Sequence, residues 1–125
     1  MIEVQGITKR YGPFVAVKDL SFSVAKGRVL GFIGPNGAGK TSTMRVLTGF
    51  LPATLGSATI AGFDVFEEPM QVKKRVGYLP ETPPLYKELS VGDYLKFVAE
   101  LRGITGVESL KRIGEVMERV GLRGW

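Results

Sequence analysis

The sequence predicts an α/β fold in which an antiparallel β lead-in precedes a glycine-rich loop and a helical region follows. Three observations support this fold class. Residues 2–24 are rich in β-branched and aromatic side chains, residues 34–41 form a glycine-rich loop, and apolar residues recur at helical spacing after residue 90.

Strands are predicted before the loop. Ile2–Ile7 and Phe14–Val24 each cluster β-branched and aromatic residues, and Tyr11-Gly12-Pro13 supplies a turn between them. Arg28–Ile33 is a short apolar run that leads directly into the loop, so we predict it as a third, buried strand.

A helix is predicted directly after the loop, over Thr41–Thr48. Met44 and Leu47 lie three residues apart and therefore share one helical face. Gly49 and Pro52 then provide the stop that a helix C-terminus requires.

Shorter elements are predicted between this helix and residue 90, where glycine and proline divide the chain. They are a loop over Pro52–Gly56, a strand near Ser57–Ile60, a turn at Gly62, a short helix over Glu67–Lys74 with Pro69 near its first turn, and a buried strand over Val76–Leu79.

Two amphipathic helices are predicted after a proline-rich stretch. Ser90 with Asp93 forms a capping box for the first helix. Thr105 with Glu108 repeats this pattern before the second helix, which ends at Gly121. We interpret the apolar stripes of both helices as core contacts.

The glycine-rich loop carries the strongest chemical signal. Gly34-Pro35-Asn36-Gly37-Ala38-Gly39-Lys40-Thr41 fits the pattern G-x-x-x-x-G-K-[ST], which marks a nucleoside-triphosphate phosphate loop between a strand and a helix. Its glycines allow successive backbone N–H groups to point inward, and the following helix N-terminus favours an anion. Lys40 is expected to reach the β- and γ-phosphates, and the Thr41 hydroxyl to bind Mg²⁺. The predicted fold is therefore a P-loop NTPase core.

The chain is predicted to form one incomplete domain with two parts. Residues 1–89 contain the β lead-in and the nucleotide-binding core, and residues 90–125 begin the α-helical subdomain. The break falls in the proline-rich stretch near residues 80–89, and no internal repeat is present.

Composition excludes several classes of protein. The 125 residues contain no cysteine and no histidine, which rules out disulfides, thiolate metal sites and histidine acid–base chemistry. No apolar run approaches the ~18 residues of a membrane span. Residues 1–50 hold seven Lys/Arg against two Asp/Glu, a surplus that suits an anionic ligand. Basic runs interleaved with aromatic residues are missing, so no nucleic-acid partner is expected.

Several segments beyond the phosphate loop resemble the ATP-binding subunit of an ABC transporter. They are Ile7–Gly12, Val17–Phe22, Gly31–Thr43, Gly56–Asp64 and Val76–Glu81, in the order that this family uses. The resemblance covers essentially all of the chain and weakens after about residue 105. The most similar branch is that of efflux-type systems for drugs, lipids, polysaccharides or gliding components.

This resemblance assigns roles to individual residues. Tyr11 matches the aromatic residue that stacks on adenine, and Val17 matches the small apolar residue beside that base; a turn aromatic and an ordinary core valine are the alternatives. Lys40 would also stabilise charge in the transition state, and Ser42 holds the position that reaches the α-phosphate. The implied nucleotide-binding set is Tyr11, Val17, Gly34, Pro35, Asn36, Gly37, Ala38, Gly39, Lys40, Thr41 and Ser42.

Glu81 stands where the family usually has a glutamine that reaches Mg²⁺ and the attacking water and senses the membrane partner. A carboxylate binds Mg²⁺ at least as well as an amide, but it cannot donate a hydrogen bond, so its water-orienting role stays open. The implied metal ligands are Thr41 and Glu81, with Glu81 also a catalytic candidate. A solvated loop glutamate is the alternative.

Three motifs of the family are absent from these 125 residues: a Ser-Gly-Gly-Gln signature, an apolar strand ending in Asp-Glu, and a switch histidine. In-line hydrolysis needs a positioned water as well as charge stabilisation at the γ-phosphate. We therefore interpret the chain as a truncated domain, which is expected to bind ATP and Mg²⁺ without turning ATP over alone.

The function implied is that of the ATP-binding, energy-coupling subunit of an ABC membrane transporter, of the exporter type. Expected partners are a transmembrane permease subunit, contacted at Pro83, Pro84, Leu85 and Tyr86, and a second nucleotide-binding subunit in a homo- or heterodimer. The expected location is cytoplasmic, peripheral on the inner face of the cell membrane. A soluble ABC-type ATPase not tied to transport and a non-catalytic nucleotide-binding fragment stay open as alternatives.

Overall fold

The computed structural model describes residues 1–122, which pack as two compact units, one spanning Met1–Tyr78 and one beginning at Leu79. The sequence predicts a different kind of boundary, after residue 89, between the nucleotide-binding core and the helical subdomain. That boundary stays a prediction. In chain order the elements are β1 (Ile2–Tyr11), β2 (Phe14–Val24), α1 (Lys40–Leu47), β3 (Leu55–Ile60), β4 (Phe63–Asp64), α2 (Pro69–Lys73), α3 (Val91–Leu101) and α4 (Gly106–Arg119).

The first unit is built on a four-stranded antiparallel sheet in the order β2-β1-β3-β4. β1 lies between β2 and β3, with Val4 opposite Phe22 on one side and Ala58 on the other. This sheet confirms the predicted β lead-in. β4 was not predicted; it follows a two-residue turn in which Ala61 and Gly62 both have positive φ, 52° and 82°.

A bulge in β1 determines which of its residues reach the core. Val4 and Ile7 are both buried, although their spacing would place them on opposite faces of a regular strand. The pairing register with β2 shifts between these two residues, where Gly6 has a φ of 58°. The bulge therefore returns Ile7 to the face that Val4 occupies.

The core of the first unit combines one face of the sheet with residues of the first two helices. α1 contributes Val46 and Leu47, and α2 contributes Val72. The buried apolar residues are Val4, Ile7, Val17, Val46, Leu47, Ala58, Ile60, Val65 and Val72. Helix α1 thus packs against the sheet through the face that contains Leu47, the face that the helical spacing predicted to be apolar.

The two predicted buried strands, at residues 28–33 and 76–79, are wrong. Neither segment joins a β-ladder within residues 1–122, and Val29 and Ile33 are 100% and 95% exposed. Their apolar composition is that of a buried strand, but a strand also needs a neighbour to satisfy its backbone N–H and C=O groups. Periodicity within a segment carries no information about that neighbour.

The second unit contains α3 and α4. Ser90 caps α3 as predicted, since its Oγ accepts the Asp93 N–H at 3.1 Å, whereas Thr105 is the N-cap of α4 without a side-chain bond. The interpretation of both apolar stripes as core contacts is wrong: α3 buries no residue, and α4 buries Ser109 alone among its described residues. Because the second unit contains only these two helices among the described residues, each helix leaves part of its apolar stripe exposed.

None of the helices within residues 1–122 combines the length and the apolar character that crossing a membrane requires.

Gly56 is a point of close approach between β1 and β3, where an added side chain should be costly. A Cβ at Gly56 would lie 2.3 Å from the Gly6 carbonyl oxygen, and φ is 92°. We expect Gly56→Ala to lower the free energy of unfolding in urea by ~1–2 kcal/mol for the left-handed backbone and by a further ~1–3 kcal/mol for the clash.

Gly62→Ala is the matched control, because Gly62 has a φ of 82° and a Cβ added there would meet open space. Gly62→Ala should lower the free energy of unfolding only by the ~1–2 kcal/mol that a side chain costs in the left-handed conformation. Equal losses for the two variants would contradict the close approach at Gly56.

Candidate nucleotide-binding site

The phosphate loop contains a turn and leads directly into α1. The Ala38 N–H donates to the Pro35 carbonyl at 3.1 Å, which forms a turn inside the loop. Gly37 and Gly39 have φ values of 85° and 87°, a left-handed conformation that glycine adopts without a Cβ penalty. Gly37 and Gly39 therefore stand where the backbone needs glycine.

Gly39 is also required by its packing against β2. A Cβ at Gly39 would lie 2.2 Å from the Ala16 carbonyl oxygen and 3.0 Å from Val17 Cγ2. The backbone of β2 thus contacts the last glycine of the loop. Val17 itself is buried in the core, and its role beside a base stays a prediction.

The N-terminus of α1 presents backbone donors. Gly39 is the N-cap residue and makes no side-chain cap hydrogen bond. The Thr43 N–H and hydroxyl both donate to the Gly39 carbonyl, each at 2.9 Å. The N–H groups of residues 40–42 precede the first intrahelical bond, so together with the helix dipole they form a site for an anion.

The Lys40 side chain turns back onto the loop. Its Nζ donates to the Gly34 carbonyl and, at 2.8 Å, to the Pro35 carbonyl. An ammonium group has three N–H donors, and backbone carbonyls do not neutralise its charge. The positive charge therefore lies within the loop, where it adds to the field of the helix N-terminus.

Tyr11 and Ser42 are in contact although they are 31 positions apart in the sequence. Tyr11 ends β1, and its hydroxyl lies 3.3 Å from Ser42 Oγ on the first turn of α1. The tyrosine is 41% exposed, so part of its ring surface is open to a ligand. The residue assigned to the base and the residue assigned to the α-phosphate therefore lie side by side.

Lys9 is a neighbour of this site that the sequence reasoning missed. Its Nζ lies 5.2 Å from the centroid of the Tyr11 ring and donates to the Pro52 carbonyl at 2.8 Å. The available signal was the spacing, because residues two apart in a strand point to the same face.

The residues assigned to Mg²⁺ lie in different units. Thr41 is exposed at the start of α1, and Glu81 is exposed in the second unit. Among residues 1–122, no group of three His, Cys, Asp or Glu side chains could hold a metal ion. One hydroxyl directly after the glycine-rich loop nevertheless fits Mg²⁺, which takes few protein ligands and completes its shell with phosphate oxygens and water.

The antiparallel lead-in, the glycine-rich loop and the helix that follows it are elements of a P-loop NTPase fold. The family model described as "ABC transporter" matches residues 17–125, and the chain belongs to this family.

Named relatives match nearly the whole chain. The linearmycin resistance ATP-binding protein LnrL of Bacillus subtilis (strain 168) is 38% identical over 122 residues, which cover 98% of this chain and 39% of LnrL. The probable multidrug ABC transporter ATP-binding protein YbhF of Escherichia coli (strain K12) is 33% identical over 123 residues, covering 98% of this chain and 21% of YbhF.

A solved structure, "Structure of ATP binding subunit of ABC transporter", superposes with a TM-score of 0.86 at 29% identity. The match covers 98% of this chain and 51% of that one. This chain therefore spans about half, or less, of the length of the proteins it matches.

The buried Thr43 hydroxyl should stabilise the end of the phosphate loop. Thr43→Val keeps the side-chain shape but removes the bond to the Gly39 carbonyl, so we expect a loss of ~1 kcal/mol in the free energy of unfolding. Amide hydrogen exchange should become faster at Ala38 and at residue 43, whose N–H groups donate to the Pro35 and Gly39 carbonyls.

Thr48→Val is the control, because the Thr48 hydroxyl makes the same type of bond, to the Met44 carbonyl at 2.7 Å, at the other end of α1. It should leave exchange at Ala38 and Thr43 unchanged. The same acceleration in both variants would show that Thr43 does not act on the loop specifically.

Proposed function

We propose that the chain binds ATP through the phosphate loop, as part of the ATP-binding subunit of an ABC transporter. The observation that carries this proposal is the loop of residues 34–41, which ends at an uncapped helix N-terminus and holds the Lys40 ammonium on its own carbonyls. Backbone donors, the helix dipole and the lysine charge all favour a polyphosphate.

The base would bind beside Tyr11. The ring is partly exposed, and its hydroxyl lies 3.3 Å from Ser42, whose N–H belongs to the first turn of α1. An aromatic face at this position favours stacking of a purine, while the neighbouring helix N-terminus favours its phosphates. Val17 is the proposed apolar neighbour of the base.

Mg²⁺ would be held by the Thr41 hydroxyl, with Glu81 as the proposed second protein ligand. When bound, the ion supplies positive charge to the phosphate oxygens. Lys40 would stabilise negative charge at the γ-phosphate in the transition state. We propose that residues 1–125 bind ATP without steady turnover, since their sequence contains no Ser-Gly-Gly-Gln signature and no apolar strand ending in Asp-Glu, and the Glu81 carboxylate cannot donate a hydrogen bond.

We further propose that the subunit works in export, paired with a second nucleotide-binding subunit at the inner face of the membrane. Two relatives named for linearmycin resistance and multidrug transport support export over a soluble ATPase. Leu85 and Tyr86, 58% and 57% exposed, are the proposed contact with a transmembrane subunit. The Tyr86 ring stands edge-on to Phe97 at 5.7 Å, which gives this apolar surface a fixed support.

Removing the loop charge should abolish most nucleotide binding. We expect Lys40→Ala to weaken a fluorescent ATP analogue by roughly 10- to 100-fold, the range for loss of a charge-assisted hydrogen bond. Lys26→Ala, in an exposed turn after β2, removes the same charge and should change the affinity less than about twofold.

The same proteins provide a test of turnover. Phosphate release by the unmodified chain should equal that of Lys40→Ala. Indistinguishable affinities for Lys40→Ala and the unmodified chain would contradict the assigned binding site. Steady Lys40-dependent phosphate release would contradict the proposed absence of turnover.

The proposed membrane contact can be tested in the full-length subunit with its permease. A photo-crosslinking residue at Tyr86 should capture the transmembrane subunit, because the side chain is exposed beside a supported apolar surface. The same probe at the exposed Lys18 of β2 should not. Equal capture from both positions would contradict a specific contact at Tyr86.

A further inference from the structure

Lys9 is a buried lysine whose partners are unusual. It is 9% exposed, and its ammonium donates to the Pro52 carbonyl at 2.8 Å. Within residues 1–122, no carboxylate lies within salt-bridge distance of it. Burying a charged group is expensive unless it is compensated, so the remaining contact of this ammonium matters.

That contact is the Tyr11 ring, whose centroid lies 5.2 Å from Lys9 Nζ. A cation over an aromatic ring is attracted by the negative face of the ring, and the attraction increases when water is excluded. The ring is therefore held by two contacts: the Lys9 cation over the ring, and its own hydroxyl beside Ser42 Oγ at 3.3 Å.

Lys9 is itself fixed by the backbone around it. The Thr54 N–H donates to the Thr8 carbonyl at 2.8 Å, and the Arg10 N–H donates to Thr54 Oγ1 at 2.9 Å. The segment that supplies the Pro52 carbonyl is thus tied to β1 on both sides of Lys9. The ammonium has a defined position from which to orient the ring.

We propose that Lys9 is a positioning residue for nucleotide binding, which holds the Tyr11 ring ready to stack on the base. This inference rests on the proposed function. An aromatic side chain that is already oriented loses less conformational entropy when a ligand binds, so part of the affinity for the base comes from Lys9. Lys9 acts through Tyr11 and does not itself contact the phosphates.

The experiment compares Mg·ATP with Mg·tripolyphosphate, which lacks the base, in calorimetric titrations. Lys9→Met keeps the apolar stem and removes the cation. We expect it to weaken ATP roughly three- to tenfold, the range for one cation–π contact, and to leave tripolyphosphate within about twofold. In a Tyr11→Ala background, Lys9→Met should have no further effect on ATP.

Two further variants separate the effect of the charge from that of folding. Lys9→Arg keeps a cation and should retain affinity for ATP close to that of the unmodified chain. Lys9→Gln keeps an N–H donor for the Pro52 carbonyl but loses the charge, so it replaces Lys9→Met if that variant does not fold. Tripolyphosphate binding reports in each case that the phosphate loop is intact.

Each other outcome overturns the proposal in a recognisable way. Equal weakening of ATP and tripolyphosphate would make Lys9 a direct phosphate attractor, and an undiminished effect in the Tyr11→Ala background would exclude action through the ring. Unchanged ATP affinity in Lys9→Met would show that the contact contributes nothing. If the unmodified chain bound neither ligand, the proposed function itself would fail.

Discussion

The contact between the end of β1 and helix α1 is the interaction on which the site depends. α1 has eight residues, too few to be stable as an isolated helix, so its position comes from its neighbours. Tyr11 contacts Ser42 on its first turn, and the Thr8 carbonyl and Lys9 ammonium bind the segment that follows it. Because β1 contacts both the first turn of α1 and the segment that follows the helix, the direction of α1 is fixed.

The same arrangement leaves positive charge available. Lys9 and Lys40 are both held by backbone carbonyls, and within residues 1–122 neither has a carboxylate partner. A salt bridge would fix each side chain equally well but would cancel its charge. Carbonyl oxygens satisfy the N–H donors and leave each charge in place: the Lys40 charge stays at the loop, which suits a polyanion, and the Lys9 charge stays over the Tyr11 ring. The hydrogen bonds to backbone carbonyls thus fix the position of each lysine side chain and leave its charge intact.

Sequence patterns predicted the features that depend on residues close together in the chain. They failed for the features that depend on residues far apart in the chain. The glycine-rich motif, the Ser90 cap and the bounds of β2 depend on neighbours in sequence, and the structure has each of them. Residues 28–33 have the composition of a strand, but pairing depends on segments elsewhere in the chain. The Lys9 contact with Pro52 spans 43 residues, so only the spacing of Lys9 and Tyr11 hinted at it.

The division into two packing units separates the two halves of the proposed function. Every residue proposed to bind the nucleotide lies between residues 11 and 42, within the first unit. Glu81 and the proposed membrane contact at Tyr86 lie in the second. The proposed ATP site therefore rests on the sheet, the loop and α1 alone, whereas the proposed roles of Glu81 and Tyr86 rest on the second unit. The two proposals rest on different residues, so either can fail without the other.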